Sequence, residues 1–302
     1  MTTLERIEAR SADLGDGLLV RRVLPTRGRR MVGAWCFLDH AGPVRFGKDK
    51  PMRVGAHPHT GLQTFTWLME GEVLHRDSLG SEQIIRPGQV NLMTAGRGIV
   101  HTEDSLTPEL HAAQLWIALP PEEFARVPAF DHYPDLPQWQ EGHVYMTLLA
   151  GQYQTPHQTH VSSVKLYSPL IGMDMRSEVG DTLTLTLNPA FEYAVLPLEG
   201  HVRIDNQPFD ADEFAYLGAG RASVTLNLGT DTRILLIGGE PFAQPVVMWW
   251  NFVAHTRDDV IQAQHDWESG NARFGSVPHE RGPRMTAPKL PWTHSCESDA
   301  NS

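Results

Sequence analysis

Two short motifs carry the strongest chemical signal in this sequence. His57-Pro58-His59 places two imidazoles at positions i and i+2, and His101-Thr102-Glu103 places an imidazole and a carboxylate at the same spacing. Side chains two residues apart in an extended strand lie on the same side of that strand. We therefore predict that two antiparallel strands of one small barrel bring the two polar pairs together at its centre.

The four side chains form a donor set that suits a metal ion. Three neutral imidazoles and one carboxylate fit a divalent ion of intermediate softness: iron, nickel, copper, manganese or zinc. A structural zinc site is closed, whereas four protein ligands leave open positions on an octahedral ion, which is therefore favoured. The alternative interpretation is that these are polar residues at a barrel mouth that bind no metal.

Short apolar segments must position these motifs. The 26 glycines and 22 prolines that punctuate the sequence are typical of β-structure with many turns. Alternation over Gln63–Met69 predicts a strand in which Phe65, Trp67 and Met69 share one face. Glu70–Gly71 then predicts a turn into a return strand.

The second half of the chain repeats this arrangement. A Glu-Gly turn recurs at Glu199–Gly200, and Ala95-Gly96-Arg97 recurs as Ala219-Gly220-Arg221. Two recurrences in the same order indicate a duplicated unit. We therefore predict a mainly all-β chain with two tandem barrels, the N-terminal one over residues 1–135 and the C-terminal one over residues 136–250.

One amphipathic helix is predicted after the second barrel. Thr256-Arg257-Asp258-Asp259 has the pattern of a capping box, and Gly270 ends the helical periodicity. We assign residues 251–275 to this C-terminal helix and its approach. Residues 276–302 are polar and dotted with proline, which predicts a flexible tail.

Charge and composition exclude several function classes. The formal net charge of −11 at pH 7 argues against direct binding of nucleic acid and against docking on an anionic membrane. Cys36 and Cys296 lie far apart, so a disulfide framework is not expected and a reducing compartment fits better. No signal peptide and no apolar run of the roughly 18 residues that span a bilayer is found. These features predict a cytoplasmic location.

The sequence around both motifs resembles the pirin family of the cupin superfamily. The two cupin motifs of pirins resemble HPHTGLQTFTWLMEG and MTAGRGIVHTE, and further matches are RRMVGAWCFLDHAGP, QLWIALP and PVVMWWNFVAHTRDDVIQA. The resemblance covers the chain from about residue 15 to about residue 275. It implies a bicupin with metal in the N-terminal barrel only. The ligand positions of the family correspond to His57, His59, His101 and Glu103, and Fe(II) is the expected ion, with nickel, copper, manganese or zinc as alternatives.

The chain departs from the family pattern at one position of the first barrel. Pirins usually carry glutamate, the general cupin acid, where this chain has Gln63. Because the carboxylate ligand of pirins corresponds to Glu103, we expect Gln63 to preserve metal binding and to alter hydrogen bonds around the ligands. The positions of the second barrel that match the ligands are Thr186, Asn188, Thr225 and Asn227. None of them is a good ligand, so that barrel is expected to be metal-free.

The resemblance implies two functions from different classes. Pirin-like proteins are linked to quercetin 2,3-dioxygenase activity, in which O2 opens the flavonol ring and carbon monoxide is released. Glu103 would then serve as both ligand and catalytic base, since no other carboxylate is expected at the metal. Phe65, Trp67 and Met69 would form the apolar wall for a flat aromatic substrate, or else belong to the barrel core.

The second function is an interaction protein that responds to iron or to redox state. Pirins are also described as partners of transcription factors or metabolic enzymes, and the same four ligands serve that role. The acidic charge disfavours DNA contact but permits a protein partner. Isomerases and sugar-binding cupins are a third class, and their ligand patterns differ from this one.

Overall fold

The computed structural model describes residues 4–13, 19–47, 52–279 and 283–292. The strands of the first half are β1 (Glu5–Glu8), β2 (Arg10–Asp13), β3 (Leu19–Leu24), β4 (Trp35–Arg45), β5 (Arg53–His59), β6 (Leu62–Glu70), β7 (Val73–Asp77), β8 (Glu82–Ile85), β9 (Val90–Thr94), β10 (Ile99–Ser105), β11 (Glu109–Ala118) and β12 (Ala129–Tyr133). A short 3-10 helix at Pro121–Glu123 precedes β12.

The second half has the same character. Its strands are β13 (Gln138–Glu141), β14 (Val144–Ala150), β15 (Gln152–Gln154), β16 (Thr159–Val161), β17 (Leu170–Ser177), β18 (Asp181–Thr186), β19 (Glu192–Glu199), β20 (His201–Ile204), β21 (Gln207–Asp210), β22 (Glu213–Gly218), β23 (Ser223–Leu228), β24 (Thr232–Gly239), β25 (Val247–Trp249) and β26 (Phe252–Ala254). Helix α1 follows at Arg257–Glu268.

Each half folds into a barrel made of one seven-stranded and one four-stranded sheet. In the first barrel the sheet orders are β12-β9-β6-β11-β4-β3-β2 and β5-β10-β7-β8. In the second barrel they are β1-β22-β19-β24-β17-β14-β13 and β18-β23-β20-β21. The prediction of a mainly all-β chain with two tandem barrels and a C-terminal helix is confirmed.

The two ends of the chain cross over between the barrels. β1 pairs with β22, so residues 5–8 extend the seven-stranded sheet of the second barrel. Phe252 and Trp267 of the C-terminal segment pack in one apolar cluster with Ala56 and Val100 of the first barrel. The expected boundaries 1–135 and 251–275 therefore miss these exchanges, because local sequence patterns do not reveal which sheet edge or barrel face a terminal segment will cover.

Helix α1 begins as its sequence indicates. The Thr256 side chain caps the helix by accepting a hydrogen bond from the backbone N–H of Asp259 at 3.1 Å. The apolar face of the helix is buried, with Val260, Ala263 and Trp267 each at most 2% exposed. Within the described ranges, no helix has the length and apolar character needed to cross a membrane.

Part of the predicted flexible tail contacts the rest of the protein. The Met285 backbone N–H donates to the Ala56 carbonyl at 2.8 Å, and the Met285 carbonyl accepts from the Trp267 indole at 2.9 Å. Leu290 is also buried. Residues 283–292 of the predicted flexible tail therefore have defined contacts at Met285 and Leu290, and residues 280–282 and 293–302 lie outside the described residues.

The apolar core between the barrels fixes which face of the first barrel's larger sheet points inward. Phe65 and Trp67 of β6 pack in one cluster with Leu196 of β19 and Leu235 of β24. The Trp35 indole, from β4, donates to the carbonyl of Ile171 at 3.2 Å. Because this face of the sheet is covered by the second barrel, the opposite face lines the interior of the first.

Candidate metal centre and its cavity

Three imidazoles converge inside the first barrel. His57 and His59 lie on β5, and His101 lies on the neighbouring β10 directly opposite His57. The ring centroids of His57 and His101 are 4.2 Å apart, and each of the other two ring pairs is separated by 5.1 Å. One nitrogen of each ring lies within 4.8 Å of the others, and all three side chains are buried. The three imidazoles of the two motifs therefore meet inside the first barrel.

Backbone carbonyls fix the tautomers of two of these rings. The Nδ1 atom of His57 lies 2.8 Å from the carbonyl oxygen of Gly55, and Nδ1 of His59 lies 3.2 Å from that of Asn251. A carbonyl oxygen can only accept, so both Nδ1 atoms carry the proton and both Nε2 atoms keep their lone pairs. Nε2 of His101 is buried, and no hydrogen-bond partner for it lies among the described residues. These free nitrogens fit a divalent metal, which would satisfy them.

Burial keeps the three rings neutral near pH 7. Desolvation lowers the pKa of His57 to about 4, although the hydrogen bond to Gly55 opposes it. Desolvation, reinforced by neighbouring imidazoles, also holds the pKa values of His59 and His101 well below their usual range. Neutral imidazole is the form that binds a metal, so the site needs little proton release to accept one.

Glu103 lies on the His101 side of the three rings and is not part of the group formed by His57, His59 and His101. It lines the same cavity as His57, His59 and His101. A β-bulge separates His101 from Glu103, and the carboxylate lies within 4.8 Å of ligand atoms of His101 and His75. Burial raises the pKa of Glu103. The carboxylate is thus placed at one side of the three imidazoles and is easier to protonate than an ordinary glutamate.

His75 is a neighbour of the site that sequence reasoning missed. It lies on β7, is 3% exposed, and its ring centroid is 5.2 Å from that of His101. His75-Arg76-Asp77 has the same i, i+2 spacing of polar side chains as the two recognised motifs, and that spacing was the signal available in the sequence.

The imidazoles open onto a cavity of about 380 Å³. Such a volume is large enough for a small organic molecule. The inner face of the seven-stranded sheet supplies one wall, made of Val20, Arg22, Phe37, Asp39, Ala41, Thr64, Thr66, Leu110, Ala112, Gln114 and Trp116.

This wall combines a flat aromatic surface with paired polar groups. The Trp116 ring stacks on Phe37 with centroids 4.0 Å apart and lies 5.1 Å from the His59 ring. Arg22 donates two hydrogen bonds to the Asp39 carboxylate, at 2.8 and 2.6 Å. The cavity therefore has two stacked aromatic side chains beside the metal ligands and an Arg–Asp pair on the same wall.

Two family profiles match this chain. The profile described as Pirin matches residues 17–117, and the profile described as Pirin C-terminal cupin domain matches residues 172–275. A protein of Pseudomonas aeruginosa named "Putative quercetin 2,3-dioxygenase" is 54% identical over 299 residues, which cover 97% of this chain and 93% of the relative. The chain belongs to the pirin family.

Further relatives agree with this assignment as a pirin. A pirin-like protein of Caulobacter vibrioides is 38% identical over 282 residues, covering 90% of this chain and 95% of the relative. The crystal structure of a quercetin 2,3-dioxygenase from Acinetobacter baumannii has a TM-score of 0.92 and 46% sequence identity, and the match covers 95% of this chain and 96% of that one. These comparisons agree with the two-barrel architecture of the chain.

Phe65, Trp67 and Met69 do not lie on the cavity side of this pirin. All three belong to the cluster between the barrels, whereas Thr64 and Thr66 line the cavity. The expectation that they share the ligands' face and form the substrate wall is therefore corrected. Both faces of β6 are buried, so alternation separated the two sets without indicating which one points inward.

Gln63 also points away from the metal ligands. Its amide nitrogen donates to Thr94 Oγ1 at 3.0 Å and to the Lys165 carbonyl at 3.2 Å. Gln63 therefore connects the first barrel to the segment between β16 and β17 in the second half of the chain. We expected Gln63 to alter the hydrogen bonds around the metal ligands. That expectation is wrong, because Gln63 lies on the same face of β6 as Phe65 and points away from the ligands.

The second barrel of this pirin is filled by apolar side chains. Its interior cluster includes Leu183, Leu185, Val224, Leu226 and Leu228. The positions matched to the metal ligands alternate with these residues. Thr186, Asn188 and Asn227 are exposed and Thr225 is half-buried, so these side chains lie outside the packed interior.

The cysteines are expected to be dispensable for metal binding and activity. Cys36 is fully buried, and burial raises its thiol pKa to about 12, so it stays protonated; Cys296 lies outside the described residues. Replacing both by serine should leave the metal content and the rate of any metal-dependent reaction within about twofold of the parent, since Cys36 belongs to an apolar cluster and does not line the metal cavity. Metal analysis and a turnover assay check this, and a large loss would give Cys36 a role near the site.

Proposed function

We propose that this pirin is a metal-dependent dioxygenase of the quercetin 2,3-dioxygenase type. The observation that carries the proposal is the cluster of three buried, neutral imidazoles opening onto a cavity with an aromatic wall. Relatives that carry this activity in their names span nearly the whole chain. The comparisons support a dioxygenase-like enzyme, and a flavonol is the substrate we infer for it.

The proposed ligands are His57, His59, His101 and Glu103, with Fe(II) as the ion. The three imidazoles meet the requirements for nitrogen donors: the Nδ1 contacts of His57 and His59 leave lone pairs on their Nε2 atoms, and Nε2 of His101 is buried with no partner among the described residues. Glu103 is the proposed fourth ligand because its carboxylate lies within 4.8 Å of a ligand atom of His101 and lines the same cavity. When bound, the ion supplies a Lewis acid with open coordination positions next to the cavity.

Glu103 is the proposed catalytic base. Among the described residues it is the carboxylate that lies beside the imidazoles and also lines the cavity, and burial raises its pKa in the metal-free protein. In the proposed reaction its carboxylate takes the proton of the flavonol 3-hydroxyl, and the resulting 3-olate is the electron-rich form that would bind a metal ion and react with O2. Burial of the three histidines keeps them from competing for that proton.

The Phe37–Trp116 pair is the proposed binding surface for the flat ring system. The stacked rings stand next to His59, so a flavonol lying on Trp116 would have its reacting edge near the metal ligands. Hydroxyl groups at the far end could bond to Gln114, Thr66 or the Arg22–Asp39 pair. These residues replace Phe65, Trp67 and Met69 as the proposed substrate wall.

The decisive experiment measures carbon monoxide release from quercetin and O2 by iron-loaded protein. The parent should release carbon monoxide, and Glu103→Ala, assayed at saturating metal, should lose roughly 100-fold or more of the rate because a catalytic base is removed. Asp104→Ala is the matched control, since Asp104 is the neighbouring carboxylate on β10 and pairs with Arg76 instead of lining the cavity.

Two outcomes would contradict the proposal in different ways. Equal rates for the parent and for Glu103→Ala would remove Glu103 from the role of base. No carbon monoxide from a parent that demonstrably holds its metal would reject the quercetinase activity. The function as an iron- or redox-responsive partner of another protein would then take its place, and a search for that partner would follow.

A further inference from the structure

His75 and Asp77 form a hydrogen-bonded chain behind His101. Nδ1 of His75 lies 3.3 Å from Nδ1 of His101, and Nε2 of His75 lies 3.1 Å from Oδ2 of Asp77. All three side chains are buried, with Asp77 completely inaccessible to solvent. The His75 ring is also held flat against Phe130, with centroids 4.4 Å apart and planes 14° apart. These three hydrogen-bonded side chains are therefore enclosed and held in a fixed geometry.

Asp77 is anchored as a hydrogen-bond acceptor. Its Oδ1 atom accepts from the backbone N–H of Leu79 at 2.8 Å and from that of Ser81 at 3.1 Å. These two donors orient the carboxylate and leave Oδ2 directed at His75. A carboxylate in this arrangement can only accept, so the proton between Asp77 and His75 belongs to Nε2 of His75.

The position of one proton then fixes the next. A neutral His75 with its proton on Nε2 has a lone pair on Nδ1, which faces Nδ1 of His101. Nδ1 of His101 must therefore donate, and the lone pair of His101 falls on Nε2. That atom is the buried nitrogen without a hydrogen-bond partner. The opposite assignment would put a proton on Nε2 of His101, where a metal ligand needs a lone pair.

We propose that His75 is a positioning residue which, oriented by Asp77, holds His101 in the tautomer whose Nε2 lone pair faces the metal. The inference rests on the metal centre proposed above and extends it by two residues. It gives His101 the support that His57 and His59 receive from the carbonyls of Gly55 and Asn251. Supporting contacts of this kind typically change metal affinity by 10- to 100-fold.

The alternative role for His75 is that of a direct metal ligand, and it predicts a different result. Ligand atoms of His75, His101 and Glu103 also lie within 4.8 Å of one another, so His75 could itself be a ligand. A ligand would be needed for the metal to bind at all. A positioning residue would be needed only for the metal to bind tightly.

The test uses Asp77→Asn and the metal-free protein. The asparagine keeps an oxygen for the N–H groups of Leu79 and Ser81 and turns an amide donor toward His75, which reverses the hydrogen-bond direction along the chain. Proton–nitrogen NMR of labelled histidines should show His101 protonated at Nδ1 in the parent and at Nε2 in the variant. Affinity for Fe(II) or Ni(II), measured by competition with a chelator, should fall roughly 10- to 100-fold with one ion still bound at saturation.

Asp212→Asn is the matched control. Oδ1 of Asp212 lies 2.8 Å from Nδ1 of His40, and Nε2 of His40 lies 2.9 Å from Nε2 of His111, which is a second carboxylate–histidine–histidine chain outside the metal cavity. This variant should leave the His101 tautomer and the metal affinity unchanged.

A second variant, His75→Phe, keeps the stacking on Phe130. Like Asp77→Asn, it should still bind one ion, with lower affinity than the parent.

Each result separates the inference from the proposal on which it rests. An unchanged His101 tautomer or an unchanged affinity in Asp77→Asn would overturn the positioning role. Complete loss of metal in His75→Phe, with the fold retained, would make His75 a ligand instead and would also overturn it. The tautomer is measured in metal-free protein. If the His101 tautomer changes between the parent and Asp77→Asn but the parent binds no metal, the hydrogen-bonded chain is supported and the proposed metal centre is contradicted.

Discussion

Replacing His101 by alanine is expected to remove nearly all tightly bound metal while both barrels stay folded. His101 is the one imidazole that belongs to both groups of metal-compatible side chains, with His57 and His59 on one side and with His75 and Glu103 on the other. Its loss therefore leaves neither group with three donors. Because loss of a supporting contact alone costs 10- to 100-fold in affinity, loss of this ligand should cost roughly 100-fold or more.

The fold should survive this change because His101 borders a cavity instead of filling the packed core. No hydrogen-bond partner for its Nε2 atom lies within the described ranges, and its side chain lines the cavity of the first barrel. Metal content per chain and the thermal unfolding of the metal-free protein check the two halves of the prediction.

His160→Ala is the control for loss of a buried histidine. His160 is 7% exposed and stacks on Trp139 in the second half of the chain, away from the metal cavity. It should keep the parent's metal content. An unchanged metal content in His101→Ala would contradict the ligand assignment, whereas a collapse of the metal-free variant would contradict the statement that the core does not depend on His101.

The metal-free protein is expected to lose stability as the pH falls from about 6.5 to about 4. The pKa of His57 drops from its usual 6.5 to about 4 on folding because burial disfavours the charged ring. The unfolded chain therefore binds a proton in this range before the folded chain does. The resulting contribution to the free energy of unfolding is fully present above pH 6.5 and is lost as the pH falls toward the pKa of His57 in the folded protein, about 4.

The size of this effect follows from the shift. A shift of this magnitude corresponds to roughly 3 kcal/mol of unfolding free energy from His57 alone. Folding also lowers the pKa values of His59 and His101, so they act in the same direction. Saturating divalent metal should move the loss to lower pH, because the ion competes with protons for the same nitrogens.

Urea unfolding of metal-free protein at pH 7 and pH 4.5 measures this dependence. His57→Leu should lose roughly 2–3 kcal/mol less than the parent between the two pH values, since it has no ring to protonate. His143→Leu removes an exposed histidine and should follow the parent. Identical pH slopes for the parent and for His57→Leu would show that His57 is not neutralised by burial.

The sequence determined the local parts of this protein. The i, i+2 spacing placed both polar side chains of each motif on one side of a strand, and the capping box placed the start of helix α1. Recurring Glu-Gly turns indicated two similar units, and both close a long strand with a glycine at positive φ, 90° at Gly71 and 68° at Gly200. These features depend on neighbours within a few residues, so the sequence contains all the information they need.

Tertiary structure decided which surfaces face each other. β6 is buried on both faces, and only the docking of the second barrel sends Phe65 and Gln63 outward and leaves Thr64 facing the metal cavity. The same holds for Trp116, whose place beside His59 depends on the closure of two sheets. Alternation defines two faces, and the free energy of packing with distant residues selects between them.

The partners of buried polar groups are likewise long-range. The carbonyl of Asn251 orients His59 from the far end of the chain, and Met285 reaches Ala56 from a segment whose composition predicted flexibility. His75 and Asp77 have a recognisable spacing, but their role depends on β7 lying next to β10. The sequence thus specified which residues could hold a metal, and only the fold decided which groups orient them and which side chains a substrate would meet.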